Sequence, residues 1–196
     1  NGAIKMKQFN YTEKWKKLLT PEIVSYLTTI HEYKGKQHLI AERHADVLEN
    51  LVEMAKIQST ESSNKIEGIY TSEERLKKIV LDKTMPRTRN EREIAGYRDV
   101  LNTIHENFQH IPIRDTFILQ LHRALYKFEN ASNGGRFKTS DNIIEEEDEK
   151  GNKFVRFRPL PAWETPDAII NLCTAYNEAI NQGEADSLLL ISMFII

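Results

Sequence analysis

Residues 90–128 read NEREIAGYRDVLNTIHENFQHIPIRDTFILQLHRALYKF, and their apolar positions decide the class of fold. Ile94, Tyr97, Leu101, Ile104 and Phe108 recur every three or four residues, and after Pro112 the spacing returns at Phe117, Ile118, Leu121, Leu125 and Phe128. An α-helix gathers such positions on one side, so the stretch predicts two core helices separated by a proline-marked loop. The chain is expected to be mainly α.

The same periodicity extends upstream. Thr20-Pro21-Glu22 is a helix start, with Thr as N-cap and Pro at the first position, leading into Ile23, Val24, Tyr26, Leu27 and Ile30. Gly35 is expected to end that helix. A longer one should run from about Leu39, with Ile40, Val47, Leu48, Leu51, Val52 and Ala55 as its stripe. The polar run Gln58 to Asn64 is expected to break this pattern. Thr71 fits a capping box with Glu74, opening a short helix through Leu76, Ile79 and Val80, and Pro86 marks the next loop.

Downstream the texture changes. Asn133-Gly134-Gly135 forms a turn, and the short apolar runs Ile143-Ile144 and Phe154-Val155 flank a second one at Lys150-Gly151-Asn152, which predicts a β-hairpin. Its acidic run Glu145 to Glu149 guards an exposed strand edge against indiscriminate pairing. After Thr165-Pro166 a helix carries Ile169, Ile170, Leu172, Cys173, Tyr176 and Ile180 and ends near Gly183. The last segment, Leu188 to Ile196, is apolar on every side except at Ser192, as a helix enclosed by others would be. It is too short for a bilayer, which needs about 20 residues, and it lacks a C-cap, so the expectation is a chain cut inside its own core.

At 196 residues and 40% apolar content the chain can bury roughly 70% of the surface its unfolded form exposes. Lys plus Arg number 27 against 29 Asp plus Glu, a formal charge of -2 that argues against direct binding of nucleic acid by this segment. No basic recognition helix is seen that would serve a DNA-binding regulator. The single cysteine, Cys173, excludes an internal disulfide and points to a reducing, cytoplasmic setting. The start Asn-Gly-Ala-Ile-Lys-Met-Lys has no signal-peptide core, and no membrane association is expected.

Several apparent motifs dissolve on geometry. His105 and His110 are five apart, about 140° around a helix, so both rings cannot reach one zinc. His31, His38, His44 and His122 are isolated, and no metal site is assigned. Asn133-Gly134-Gly135-Arg136 lacks the glycine pattern and Lys-Ser/Thr pair of a phosphate loop. No serine sits in an elbow motif. Ser63-Asn64-Lys65-Ile66-Glu67-Gly68 is different in kind. On a helix Ser63 and Glu67 share a face, and Gly68 can take the left-handed conformation that ends it. Glu67 then opposes the helix dipole by roughly 0.3 to 1 kcal/mol and asks for a cation. Alternatively it is solvated, or reaches back to a cap at Asn64.

These six residues, with Ser62 and Ile69, resemble the (Ser/Thr)-x-x-x-Glu-(Gly/Asn) inhibitory motif of Fic-family protein adenylyltransferases. Trp15-Lys16-Lys17-Leu18-Leu19 and the stretch Ile30 to Gln37 resemble the extension preceding many Fic domains. Gly135 to Asn142 and Arg156-Phe157-Arg158-Pro159 resemble the family's flap, and Leu188 to Ile196 the helix leading to its catalytic loop. The resemblance implies a Fic-like helical bundle with one β-hairpin flap (about 136–158) and an N-terminal helical extension. Residues 1–85 would be that extension, with the inhibitory helix at about 59–68, and 86–196 the first part of the Fic-like domain. The signature His-x-Phe-x-(Asp/Glu)-Gly-Asn-Gly-Arg-x-x-Arg does not occur. It would begin just past Ile196, so no catalytic residue is assigned and this chain alone is expected to be inactive.

The resemblance further implies that Glu67 pairs with the signature's second arginine, where the ATP γ-phosphate must sit, and that Ser63 fixes the helix. Ile143, Ile144, Phe154, Val155 and Phe157 would align a target protein segment as an added strand. ATP with Mg would supply AMP to a target hydroxyl in the bacterial parent enzyme. Self-association into a homo-oligomer is a further expectation. The alternative is a helical module that binds peptide along its hairpin and has no nucleotide chemistry.

Overall fold

A computed structural model of the chain describes residues 9–41, 45–129 and 134–195, with the backbone alone at 38–41 and 45–46. It is mainly helical with one small hairpin, as the periodicity predicts. The helices are α1 (Tyr11–Lys14), α2 (Pro21–Ala41), α3 (Ala45–Ile66), α4 (Glu73–Val80), α5 (Arg89–Asn107), α6 (Asp115–Leu125), α7 (Thr165–Gln182) and α8 (Ser187–Ile195). Strands β1 (Ile144–Glu147) and β2 (Lys153–Phe157) pair antiparallel. Residues 1–8, His44, Asn133 with the start of its turn, and Ile196 lie outside the described residues. No described helix is long and apolar enough to cross a membrane.

The described residues fall into two compact units. The first comprises those of 17–112 and 120–135, and the second those of 9–16, 113–119 and 136–195. Positions 85 and 86, where an N-terminal extension was expected to give way to a second domain, both belong to the first unit.

In the first unit α4 packs on α3 and α5. Leu76, Ile79, Val80, Ile94 and Ala95 are buried between them, joined by Ile57, Ile69 and Phe128. Thr20 caps α2 as expected, its Oγ1 accepting from the Ile23 N–H at 3.2 Å. Gly35 does not end α2, which runs on to Ala41. A single glycine with ordinary helical backbone costs a helix only about 1 kcal/mol. Leu39 accordingly belongs to α2, and α3 starts at Ala45.

The expected break at Gln58 to Asn64 does not occur either. Thr60 is fully buried and Asn64 nearly so, and the Asn64 Nδ2 donates to the Thr60 carbonyl at 2.8 Å, so both side chains face inward without interrupting the helix. Thr71 is not the cap of α4. Ser72 is, its Oγ accepting from the Arg75 N–H at 3.3 Å, while the Thr71 hydroxyl donates to Glu91.

Glu91 is the hub that holds the loop between α4 and α5. Its carboxylate accepts from Arg75 Nε and Nη2 at 2.8 and 2.7 Å and from the Arg87 N–H at 2.7 Å. Arg75 also donates to Thr84 Oγ1 and the Met85 carbonyl. The guanidinium holds the Glu91 carboxyl down to about 2.

The second unit has a smaller core of Tyr11, Ala179 and Leu190, flanked by Leu172, Tyr176 and Met193. The Tyr11 hydroxyl donates to the Met193 carbonyl at 3.1 Å. In the hairpin Ile144 lies opposite Phe157, Glu145 opposite Val155 and Glu146 opposite Phe154. Asp148 closes its turn by accepting from the Lys150 and Asn152 N–H groups, with Gly151 left-handed. Gly183 ends α7 in the same conformation. α8 is not enclosed as its sequence suggests. Among the described elements it packs mainly on α7, with Tyr11 of α1 against Leu190, so Leu189 and Leu190 are buried but Ile191 and Ile195 are exposed.

Candidate functional site

The last turn of α3 ends in a defined geometry. The Gly68 N–H donates to the Lys65 carbonyl at 3.0 Å and the Ile69 N–H to the Asn64 carbonyl at 2.9 Å, with Gly68 at φ +74. This pair of bonds is the Schellman arrangement, which needs a left-handed residue at Gly68, the position the sequence assigns to glycine. Ile69, just past it, packs on the core and fixes the direction in which the chain leaves.

That end of α3 forms one wall of a cleft of about 660 Å³ inside the first unit. Ser63, Glu67 and Gly68, singled out from the sequence, all line it. α5 contributes Arg89, Asn90, Glu93 and Tyr97, and the end of α6 contributes His122 and Leu125, with Tyr126 beyond.

Ser63 and Glu67 come to the same cleft, with no hydrogen bond between them among the described residues. The Ser63 Oγ accepts from the Tyr97 hydroxyl at 3.0 Å, which ties α3 to α5 one turn before Glu67. Glu67 is exposed, and no hydrogen bond or ion pair to its carboxylate is found among the described residues. The cap at Asn64 is excluded, because that side chain is buried against its own helix. Of the alternatives the sequence left open, a solvated Glu67 describes this chain, and its carboxylate still opposes the dipole of α3.

Arg89, which also lines the cleft, is already engaged. Arg89 Nε lies 2.9 Å from Glu93 and 3.9 Å from Glu129. Asn90 Nδ2 donates to the Tyr70 carbonyl, anchoring the segment after Gly68 to the start of α5. His122 Nδ1 accepts from the Gly135 N–H at 3.0 Å, which leaves Nε2 as the ring's N–H donor. Tyr126 meets the ring edge-on. The cleft thus offers an unpaired carboxylate, a paired arginine and an imidazole N–H, a set suited to a cationic or hydrogen-bonding group.

The hairpin residues belong to the second unit. Ile143, Ile144, Phe154, Val155 and Phe157 are all exposed, and a sheet of only two strands leaves each strand with an outer edge unpaired by another described strand. Arg156 pairs with Glu146 at 2.6 Å across the ladder.

Sequence reasoning missed Tyr97, Glu93 and His122 as cleft residues. Tyr97 reads as part of a core stripe and His122 as an isolated histidine, since nothing local connects them to Ser63. One signal was present. Gly96, in the middle of α5, would place a Cβ onto the Leu125 carbonyl oxygen, so it marks where α5 and α6 converge beside the cleft. No group of three or more potential metal ligands is found among the described residues. No protein-family model matches the chain, and no curated protein matches it by sequence.

Proposed function

We propose that the first unit carries the brake of a protein adenylyltransferase of the Fic type, a cytoplasmic bacterial nucleotidyltransferase in which Glu67 withholds an arginine from ATP. The observation that carries this is Glu67 itself, an unpaired carboxylate at the capped end of α3, opening on a cleft large enough to admit a guanidinium from another segment. Charge logic supports the same pairing, since a carboxylate at a helix C-terminus gains from any cation that reaches it.

The chemistry would need the His-x-Phe and Gly-Asn-Gly-Arg signature, which these 196 residues do not contain. With it, a target hydroxyl would attack the ATP α-phosphorus, giving its proton to the signature histidine as pyrophosphate leaves, and Mg would offset the phosphate charge. The Tyr97 to Ser63 bond steadies the turn that presents Glu67. The hairpin apolar residues supply the surface for the target segment.

The test uses a chain that carries the signature. Glu67→Gly should raise AMP transfer from radiolabelled ATP by roughly 5- to 150-fold, the span of a coupling of about 1–3 kcal/mol. Unchanged labelling in a folded variant sinks the brake. The five exposed apolar residues of the hairpin favour peptide binding without nucleotide as a rival function. Under that rival, an extended peptide perturbs the backbone resonances of 144–147 and 153–157 and neither ATP nor Glu67→Gly changes anything.

A further inference from the structure

We infer that α2 is a self-association surface, through which two copies of this chain pair antiparallel about a two-fold axis. The starting observation is that α2, 21 residues long, has no substantial packing partner among the described elements, although α4 has α3 and α5, and α7 has α1 and α8. Ile23, Val24, Thr28, Thr29 and Ile30 are weak helix formers, so such a helix draws its stability from packing. Most of its apolar side chains are open instead, with Ile23 and Leu27 half-buried. Tyr26, Ile30 and Tyr33 are 56%, 47% and 66% exposed.

The occupant follows from the spacing. Ile23, Tyr26, Ile30 and Tyr33 fall at intervals of three, four and three, the seam of a two-helix coil. The order Ile, Tyr, Ile, Tyr is complementary to itself when reversed. Laid antiparallel, Ile23 of one copy meets Tyr33 of the other and Tyr26 meets Ile30, a small side chain against a large one in every layer. A two-fold interface requires this self-complementarity, because each contact must occur twice.

The flanks agree with the seam. Antiparallel pairing brings Leu27 beside Leu27 of the other copy, next to the axis. It also sets Glu22 against the Lys34 to Lys36 stretch at both ends of the seam. Among the described residues of one copy Glu22 accepts from the Tyr26 hydroxyl, Lys36 pairs with Glu32, and Lys34 has no ion pair. A seam of one helix pair lies at or below the ~1,000 Å² expected of a lasting interface, so the association is weak and concentration-dependent.

Sedimentation equilibrium of the 196-residue chain from micromolar to millimolar should show a monomer–dimer equilibrium. Glu22→Lys, and separately Lys34→Glu with Lys36→Glu, should each weaken it about tenfold by setting like charges together. Mixing the two variants restores opposite charges at both ends and should restore pairing, which a misfolded variant would not do. Under oxidation Leu27→Cys should cross-link much faster than Ser25→Cys on the other face, and buried Cys173 leaves the parent chain uncrosslinked. A chain that stays monomeric at millimolar concentration overturns the proposal. So does a dimer indifferent to the charge reversals, or equal cross-linking at 27 and 25.

Discussion

Gly68 and Gly96 are required for different physical reasons, and the difference is measurable. At Gly68 a Cβ would meet nothing within 4 Å, so Gly68→Ala costs only the left-handed backbone penalty, about 1 kcal/mol. At Gly96 the Cβ would collide with the backbone of Leu125, and α5 and α6 would have to separate, at about 3 kcal/mol or more. Urea denaturation should therefore rank Gly96→Ala well below Gly68→Ala in stability. Comparable midpoints would mean that the two helices do not meet there. Ser63, Glu67 and Gly68 were legible because their meaning is local, a face and a stop within one helix. Tyr97 and His122 were not, because they join the cleft through contacts 34 and 13 residues away in sequence. The Tyr97 to Ser63 bond can be tested the same way. Tyr97→Phe and Ser63→Ala should each cost about 1 kcal/mol, and the double variant no more than either alone.

At the scale of elements, helix stops were legible where glycine turns left-handed and illegible where it does not. Gly183 and Gly68 end their helices with positive φ, whereas Gly35 sits inside α2 with open space around it. Gly35→Ala should consequently raise far-UV helicity and stabilise α2 by about 1 kcal/mol, and a loss of helicity would show that Gly35 marks a bend. The break expected in α3 failed because propensity counts Ser, Thr and Asn as weak helix formers without knowing that Thr60 and Asn64 are buried. At α4 the capping-box pattern points to Thr71 before Glu74, while the adjacent Ser72 is the residue that caps the helix. Only the tertiary claim of Glu91 on Thr71 decides between them. α8 reads as enclosed because its composition is apolar all round, yet composition does not record which neighbours are present.

Taken whole, the molecule carries its buried, arginine-held carboxylate Glu91 in the first unit and its phenols and thiol raised by burial in the second. Glu91 and Asp99 belong to the first. Arg75 lowers Glu91 to about 2 from its ordinary 4.5. Burial raises Asp99, but the hydrogen bonds from Arg98 and Lys127 outweigh it, so its carboxyl is also lowered. Between pH 4.5 and about 2 the unfolded chain holds the Glu91 proton and the folded chain does not. The stability this carboxylate contributes is thus complete above 4.5 and lost as pH falls toward about 2. Tyr11, Cys173 and Tyr176 belong to the second unit, and burial raises all three. There the unfolded chain ionises first, from the ordinary values of 9.0 for the thiol and 10.0 for the phenols, so stability falls as pH rises through that range. Amide exchange should therefore show protection lost first in α4 and α5 on acidification, and first in α7 and α8 in alkali. Glu91→Gln should cost about 2 kcal/mol at neutral pH, from hydrogen bonds to a charged partner, and should flatten the acid limb while leaving the alkaline limb unchanged. An acid limb as steep in Glu91→Gln as in the parent, or α7 opening before α5 in acid, would assign the acid sensitivity to other carboxylates.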